Sequence, residues 1–474
     1  MQLSELIAGI PAQVYNMNDV DIASIEFDSR NIRAGAMYVA VKGARFDGHD
    51  FVRDAVASGA VALVTQKKSA TALPQIVVSD TRAMLGELAT RFYGKFDELT
   101  KVGITGTNGK TTTAFLIRSI LGKAGRRPGL IGTIYYSGKT ASKATRTTPE
   151  IMDVLKLFTR FRDEGIDSVV MEVSSHALKM ARVENIAFDV AVFTNFSQDH
   201  LDFHKTMDEY MKAKLHLFSL LKPHGYAVYN NDDTLGRAIK KLSLNHSLSY
   251  GQTEGSAIQA RIIDQSLNGL RLEIAYENKR FEIGSSLIGD FNLYNILAAF
   301  ASGIALTVDV EDIIAGIEEL KAVQGRMERV VDNIFVDFAH TPSAIESILR
   351  SFRSYAQGRL IIVFGCGGDR DKEKRPKMGA IATRLADLVV ITSDNPRNEM
   401  PMEIIEDIVR GVVSDNYIII EDRTAAIRYA ISEKRAQDIL VVAGKGHEEY
   451  QIIGEGVIHF NDAEVIRQCF TNSC

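Results

Sequence analysis

Residues 102–117 read VGITGTNGKTTTAFLI: a short apolar lead-in, a glycine-rich turn, then a run that suits a helix. A strand that turns through glycines into a helix aims several backbone N–H groups, and the positive end of the helix, at one point. Gly106 and Gly109 let the backbone approach a ligand with no Cβ in the way. Thr107 and Asn108 complete the turn, Lys110 can reach β- and γ-phosphates, and Thr111 or Thr112 can set a hydroxyl on Mg²⁺. The stretch falls one position short of G-x-x-x-x-G-K-[ST], since Ile104 stands where the first glycine belongs. A chance glycine turn before a helix is the alternative. The shifted glycine predicts a variant nucleotide loop.

Outward from the loop, the strand candidates DSVVMEV (167–173), DVAVFTN (189–195) and YAVYNN (226–231) are separated by helical stretches. Strands alternating with helices predict an α/β fold with mostly parallel sheets. Residues 1–98 mix short strands with turns. Residues 99–330 form the central P-loop ATPase region, and 331–474 a doubly wound α/β domain. In that last region five segments give a buried-looking strand and then a polar turn, from NIFVDFAHTP to DILVVAGKGHEEYQII. Ligands of open parallel sheets bind at the carboxyl ends of the strands. His340, Arg370, Asp394, Arg397 and Glu448 all fall just after strands and are predicted to share one crevice.

Composition narrows the class. The chain has 474 residues and a net charge of −5, with no basic bias toward nucleic acid or a membrane surface. The start MQLSELIAGIPAQVYN lacks the basic and apolar regions of a signal peptide, and no apolar run is long enough to cross a bilayer. Cys366, Cys469 and Cys474 suggest neither a disulfide framework nor a zinc site. A reduced, cytoplasmic monomer is expected.

The wording GTNGKTT (106–112) resembles the ATP loop of the Mur ligases, which build the peptide of bacterial cell-wall precursors. The resemblance runs nearly end to end through DSR, FDGH, TTPE, MEVSSHAL, FTNFSQDHLDFH, GDFNLYN, GRME, DFAHTP, GGDRD, DNPR and GKGHE. It is nearest the branch that adds the third residue. That implies an ATP-dependent ligase joining meso-2,6-diaminopimelate to UDP-N-acetylmuramoyl-L-alanyl-D-glutamate (UDP-MurNAc-L-Ala-D-Glu), through an acyl phosphate.

By the same resemblance, Glu172 is a Mg²⁺ ligand, and His200, beside Asp199, holds a second Mg²⁺. Lys214 matches a lysine carbamylated by CO₂, which turns a cation into a carboxylate-like anion and needs surroundings that disfavour the ammonium. Arg326 matches a γ-phosphate contact, Asp337 a ribose contact, and Asn292 and Asn295 the adenine side. Phe27, Ser29, Ala44, Arg45 and Phe46 match contacts to the uridine diphosphate, and Thr147, Thr148, Ser174 and Arg182 contacts to the muramoyl-dipeptide. Each has a plain structural alternative: a capping turn at DSR, a hydrogen-bonding histidine, a solvated helix lysine. Met180 departs from the glutamine common in relatives.

DNPRNEMP (394–401) bears on which amino acid is added. The resemblance assigns Arg370, Asp394, Asn395, Pro396, Arg397, Gly444 and Glu448 to diaminopimelate. A guanidinium grips a second carboxylate through two parallel hydrogen bonds and repels the terminal ammonium of lysine. Met400 departs from an acidic residue common there. The rivals are a lysine-adding ligase, a folylpolyglutamate-synthase-like ligase, a dinucleotide oxidoreductase suggested by GCGG (365–368), and a non-catalytic ATP-binding protein. Arg397 argues against the first and the DSR-containing region against the second. Arg370, in place of the third glycine of G-x-G-x-x-G, argues against the third. Lys110, Glu172, His200 and Lys214 argue against the last. His340 is a candidate base for the attacking amine.

Overall fold

In the C-terminal region the strands Leu360–Phe364 and Ile439–Ala443 are continuous Val, Ile, Leu, Phe and Ala, with every residue buried. Such runs belong inside a parallel sheet covered on both faces. The computed structural model, which describes residues 1–43 and 46–471, has that sheet. Its order is Glu328–Val331, Ile334–Asp337, Ile439–Ala443, Leu360–Phe364, Leu388–Ile391, Tyr417–Ile419, all parallel except the first edge.

Side chains alternate across this sheet. Phe335, Ile362, Val389 and Val441 pack against Ile345, Phe352, Met378 and Ile405 from three helices, Pro342–Tyr355, Lys374–Leu385 and Pro401–Val409. Ile334, Val336, Ile361, Val363 and Leu440 point the other way, onto Ile427 and Ile466 of helices Arg423–Glu433 and Asp462–Thr471. The connection after Leu360–Phe364 runs on one face, and the helix that closes the chain after Ile439–Ala443 lies on the other. Between those two neighbouring strands the sheet therefore opens a crevice at its carboxyl edge. Thr341, with Pro342 at the first helical position, accepts from Ala344 N and starts the first of these helices.

By contact density the chain divides into two units. One comprises Met1–Gly103, Arg127–Asp189 and His216–Gly225; the other comprises Ile104–Arg126, Val190–Leu215 and everything from Tyr226 onward. The first holds a five-stranded sheet in the order Gln13–Tyr15, Gln75–Val77, Ala60–Thr65, Ala36–Val39, Ser24–Glu26, parallel except at the first edge. It also pairs Ser168–Glu172 in parallel with Pro128–Ile131. The second unit contains the glycine-rich loop and the C-terminal sheet.

Antiparallel structure was not anticipated. Ile258–Ser266, Gly269–Tyr276 and Lys279–Ser285 form a meander, and Tyr450–Ile453 pairs with Gly456–His459 as a hairpin. Glu277 and Asn278 make the meander's two-residue turn with φ of 47° and 63°, a twist that suits a hairpin. This turn has no glycine, whereas the other turn of the meander, at Leu267 and Asn268, is followed by Gly269 and carries an Asn-Gly signal. No helix among the described residues is long and apolar enough to cross a membrane.

Arg423 and Asp462 are fully buried and meet through two bonds of 2.8 Å. The guanidinium also donates to Ser393 O at 3.3 Å and Ala443 O at 2.9 Å, the carbonyls at the ends of two central strands. Asp462→Ala leaves that cation uncompensated in the core and is expected to cost about 3–5 kcal/mol. The sequence has no tryptophan, so urea unfolding followed by circular dichroism is the measurement.

Candidate active site

The glycine-rich loop is held from below by a threonine and an asparagine. Thr194 Oγ1 donates to Asn108 O at 2.6 Å, Asn195 Nδ2 donates to the same oxygen at 3.0 Å, and Asn108 N donates to Asn195 Oδ1 at 2.9 Å. Glycine is required at both its turns. Gly106 has φ 155°, and a Cβ there would lie 1.8 Å from Thr194 Oγ1; Gly109 has φ 83°, and its Cβ would lie 2.2 Å from Asn295 Oδ1. Helix Lys110–Lys123 starts on Gly109. Lys110 Nζ spans the loop, donating to Gly106 O at 2.8 Å and Thr107 O at 2.9 Å. Thr107 Oγ1 donates to Ser197 O at 3.1 Å and lies 3.2 Å from the Tyr210 hydroxyl. Thr111 and Thr112 are buried in the first helical turn.

Arg326 joins this loop: Nη2 donates to Thr111 Oγ1 at 3.0 Å, and the guanidinium stacks 4.7 Å over the Phe338 ring. Asp337 accepts from Met327 N and Ala339 N, both at 2.7 Å, and so fixes the turn that carries Arg326. Burial raises its pKa, opposed by Arg326 and these two donors. Asn292 donates to Ile288 O at 2.7 Å and Asn295 to Asn292 Oδ1 at 2.8 Å, so both asparagines are built into the start of helix Asn292–Ala305, behind the loop. A cleft of about 230 Å³ is lined in part by Leu287, Ile288 and Arg326.

Lys214 sits on helix Met207–Ser219 at 1% exposure, its ammonium position 4.3 Å over the Tyr210 ring. Burial drives its pKa well below the ordinary lysine value, Lys110 adds repulsion, and Asp199 and Asp233 only partly oppose this. A lysine so placed is a neutral amine far more readily than a solvated one. Asp199 is buried too. Desolvation pushes its pKa up, but His200, His340 and Lys374 outweigh that and leave it lowered. His200 Nε2 is 3.4 Å from Asp199 Oδ2. His340 has Nδ1 2.7 Å from Phe338 O, and Lys374 donates to His340 O at 2.8 Å. Burial, with Lys374 beside it, lowers His340 to about 4 despite Asp199. Among the described residues no three of His, Cys, Asp and Glu converge to hold a metal ion by themselves.

At the carboxyl edge of the C-terminal sheet, Asn395 Nδ2 donates to Glu448 Oε2 at 2.8 Å. Lys445, fully buried, donates to Asn395 Oδ1 and to Glu448 Oε2, each at 3.1 Å. Burial raises the Glu448 pKa, with Lys445 the main opposing influence. Arg397 has φ 53°; its N–H donates to Ile452 O at 3.1 Å and its carbonyl accepts from Gly454 N at 2.7 Å, which fastens it to the hairpin. Its Nη1 donates to Gly368 O at 2.8 Å. Burial, and then repulsion from Arg370, lowers its pKa. Arg370 is exposed, Pro396 is buried, and Asp394 lies against Gly444, where a Cβ would be 2.7 Å from Asp394 Oδ2.

The first unit gathers a separate set. Thr148 Oγ1 donates to Glu172 O at 2.9 Å and accepts from Ser174 N at 3.0 Å. Thr133 donates to Glu172 through both its N–H and its hydroxyl, and Thr147 Oγ1 is 3.1 Å from the Thr133 hydroxyl. Arg182 Nε is 2.9 Å from Glu150 Oε1, and its Nη2 is 3.4 Å from Met180 Sδ, where a thioether replaces the expected amide. Asp28 caps the turn Ser29–Asn31, so the DSR motif has the structural role weighed for it. Phe27 is half-buried and Phe46 is 72% exposed, while Ala44 and Arg45 lie outside the described residues. Sequence reading passed over Thr194, Asn195, Tyr210, Asp233 and Lys445, although FTNFSQDH and GKGHE contain three of them.

Three family models match in order: "Mur ligase family, catalytic domain" over 21–93, "Mur ligase middle domain" over 104–303, and "Mur ligase, glutamate ligase domain" over 325–446. A UDP-N-acetylmuramoyl-L-alanyl-D-glutamate–2,6-diaminopimelate ligase from Bacillus velezensis is 44% identical, covering 98% of both chains. The chain belongs to the Mur ligase family. A solved structure of a UDP-N-acetylmuramoyl-L-alanyl-D-glutamate–2,6-diaminopimelate ligase is 30% identical over 95% of both chains, with a TM-score of 0.68. A MurF ligase from Thermotoga maritima, solved with ADP, shares the fold at 23% identity, with a TM-score of 0.65 over 90% of this chain and 95% of that one. This Mur ligase is an ATP-dependent enzyme of α/β class, as its loop and sheets led one to expect.

Gly109→Ala sets a methyl against Asn295 Oδ1 and forces a left-handed alanine. It is expected to weaken ATP binding by roughly 1–3 kcal/mol, the usual size of such local strain, read as a raised KM for ATP with other KM values unchanged.

Proposed function

We propose that this Mur ligase joins meso-2,6-diaminopimelate to UDP-MurNAc-L-Ala-D-Glu at the expense of ATP, as a cytoplasmic monomer acting on small molecules. The work is divided among residues 1–98 for the uridine diphosphate end, 99–330 for ATP, and 331–474 for the incoming amino acid. One observation carries the choice of amino acid. Arg397 and Arg370 stand together, with Asp394 and the Lys445-bound Glu448 as the acidic groups that Arg397 feels beside them. Diaminopimelate has a carboxylate and an ammonium at its far end, so it answers both; lysine brings only the ammonium.

The residues fit magnesium as ATP would bring it. Mg²⁺ keeps several waters and binds through one or two protein oxygens plus substrate phosphates, so no ready-made cage of three acids is needed. The Thr111 hydroxyl, His200 beside Asp199, and carbamylated Lys214 would hold it, with Glu172 the further acid ligand proposed. When bound, it neutralises charge building on the transferring phosphoryl oxygens. Lys110 and Arg326 act on the same charge: both stand at the loop, and the fixed fork of Arg326 suits phosphate oxygens. An oxygen of the glutamate carboxylate attacks the γ-phosphorus, and the bond to ADP breaks. The amino group of diaminopimelate then attacks the acyl carbon of the resulting acyl phosphate, inorganic phosphate leaves, and the amine gives up its proton. His340, held neutral near pH 7 by burial, is a base of suitable state.

Phosphate release is expected only when ATP, UDP-MurNAc-L-Ala-D-Glu and diaminopimelate are all present, with lysine a poor replacement; equal turnover of lysine would defeat the assignment. Arg397→Ala is expected to narrow the preference for diaminopimelate over lysine by about 2–5 kcal/mol, the loss typical when one partner of a buried charged pair is removed, measured as the ratio of kcat/KM values. Carbon-13 bicarbonate should give the wild type a carbamate NMR signal that Lys214→Ala lacks.

A further inference from the structure

The two loops that carry Arg370 and Arg397 are tied together by an ion pair that plays no part in the chemistry above. Arg375, in the first turn of helix Lys374–Leu385, is fully buried. Its Nη1 and Nη2 meet Glu399 Oε2 and Oε1, each at 2.9 Å, in a two-pronged bond. Nη1 also donates to Asp407 Oδ2 at 2.9 Å, and Nη2 to Gly367 O at 3.3 Å. Glu399 belongs to the loop after strand Leu388–Ile391, two residues beyond Arg397. Its Oε1 accepts from Asp369 N at 2.6 Å, in the loop after Leu360–Phe364 and one residue before Arg370. A single carboxylate therefore bridges both loops.

Other contacts run across the same seam. A Cβ on Gly368 would lie 1.8 Å from Pro396 O, so the loops touch backbone to backbone. Asn398 Nδ2 donates to Asp369 Oδ2 at 2.7 Å. Asp369 and Arg397 both have φ 53°, a left-handed conformation that non-glycine residues adopt only where neighbours impose it. Arg370 and Arg397 also repel, which tends to part the loops. The Glu399 carboxylate is pulled down to about 2 by its bond to Arg375, and stays an anion throughout the working range.

We propose that Arg375 and Glu399 are positioning residues that fix the spacing of Arg370 and Arg397, and thereby set affinity for the far carboxylate of the incoming amino acid. The proposal rests on the diaminopimelate reading above. Neither residue touches the reacting atoms. A bidentate pair suits the task because it fixes angle as well as distance.

The test uses the full-length enzyme and three KM values, for diaminopimelate, ATP and UDP-MurNAc-L-Ala-D-Glu. Glu399→Gln keeps the shape and loses the charge; it should raise the KM for diaminopimelate about tenfold or more, as loss of a charge-assisted bond does, and move the other two by less than about twofold. Asp407→Asn removes the other carboxylate on Arg375 but touches neither loop, so it should lower Tm and leave the KM for diaminopimelate within about twofold. Asn398→Ala, on the exposed side of the seam, should raise that KM about threefold, the size of one modest hydrogen bond. Equal rises in all three KM values for Glu399→Gln, or the same profile in Asp407→Asn, would reduce the pair to a structural one and overturn the proposal. Should Glu399→Gln fail to fold, an unchanged KM in Asn398→Ala overturns it. Wild-type enzyme without preference for diaminopimelate over lysine defeats the substrate reading; a preferring wild type with an unaffected Glu399→Gln defeats only the positioning role.

Discussion

Holding Arg397 close to Arg370 is unfavourable before any substrate arrives, and the C-terminal half of this Mur ligase is arranged around that cost. Each guanidinium raises the potential at the other, and partial burial of Arg397 removes water that would screen it. The opposing forces are local and specific: the Asp394 and Glu448 carboxylates, two backbone hydrogen bonds to the hairpin, carbonyls of Gly368 and Asn395 facing the cation, and the Glu399 bridge beneath. A pocket charged in advance gains most from the ligand that discharges it, which is why the electrostatics speak for a guest with an anionic tail.

The nucleotide end relies on a different device. There the backbone is brought close to itself, with Thr194 and Asn195 gripping one carbonyl of the loop and two glycines admitting them. The Lys110 cation disfavours a second positive charge on Lys214, and Asp199 and Asp233 only partly offset this. Burial settles the balance for Lys214 against the ammonium. The chemistry that suits such a neutral amine is addition to CO₂ with loss of a proton, which leaves a carbamate anion in its place.

Much of this was legible in the chain. Period and composition gave the parallel C-terminal sheet, because strands buried on both faces must be apolar throughout, and the five polar turns followed at its carboxyl edge. The loop was legible from glycine spacing alone. The structural ties of Asp337, Asn292 and Asn295 were not: resemblance assigned these residues to nucleotide, and the fold adds that Asp337 braces two backbone N–H groups while the asparagines bond Ile288 O, Thr113 and each other. Lys445 escaped notice because a lysine between two glycines looks solvent-facing, and only the fold reveals that it is sealed against Asn395 and Glu448. The antiparallel meander escaped because its half-exposed strands lack continuous apolar runs, and of its two turns only the one at Asn268-Gly269 carries a glycine signal. The Arg375–Glu399 pair joins residues 24 positions apart and needs three dimensions to be seen.

The left-handed backbone at Arg397 has an evolutionary corollary. A descendant that exchanged this side chain to accept a different amino acid would not be free to sample all twenty. Valine, isoleucine and threonine would pay heavily in that conformation, whereas asparagine, aspartate or glycine would settle there with little difficulty. The route from one cell-wall chemistry to another is thus funnelled by a torsion angle as much as by charge, and small polar or side-chain-free replacements are the open doors.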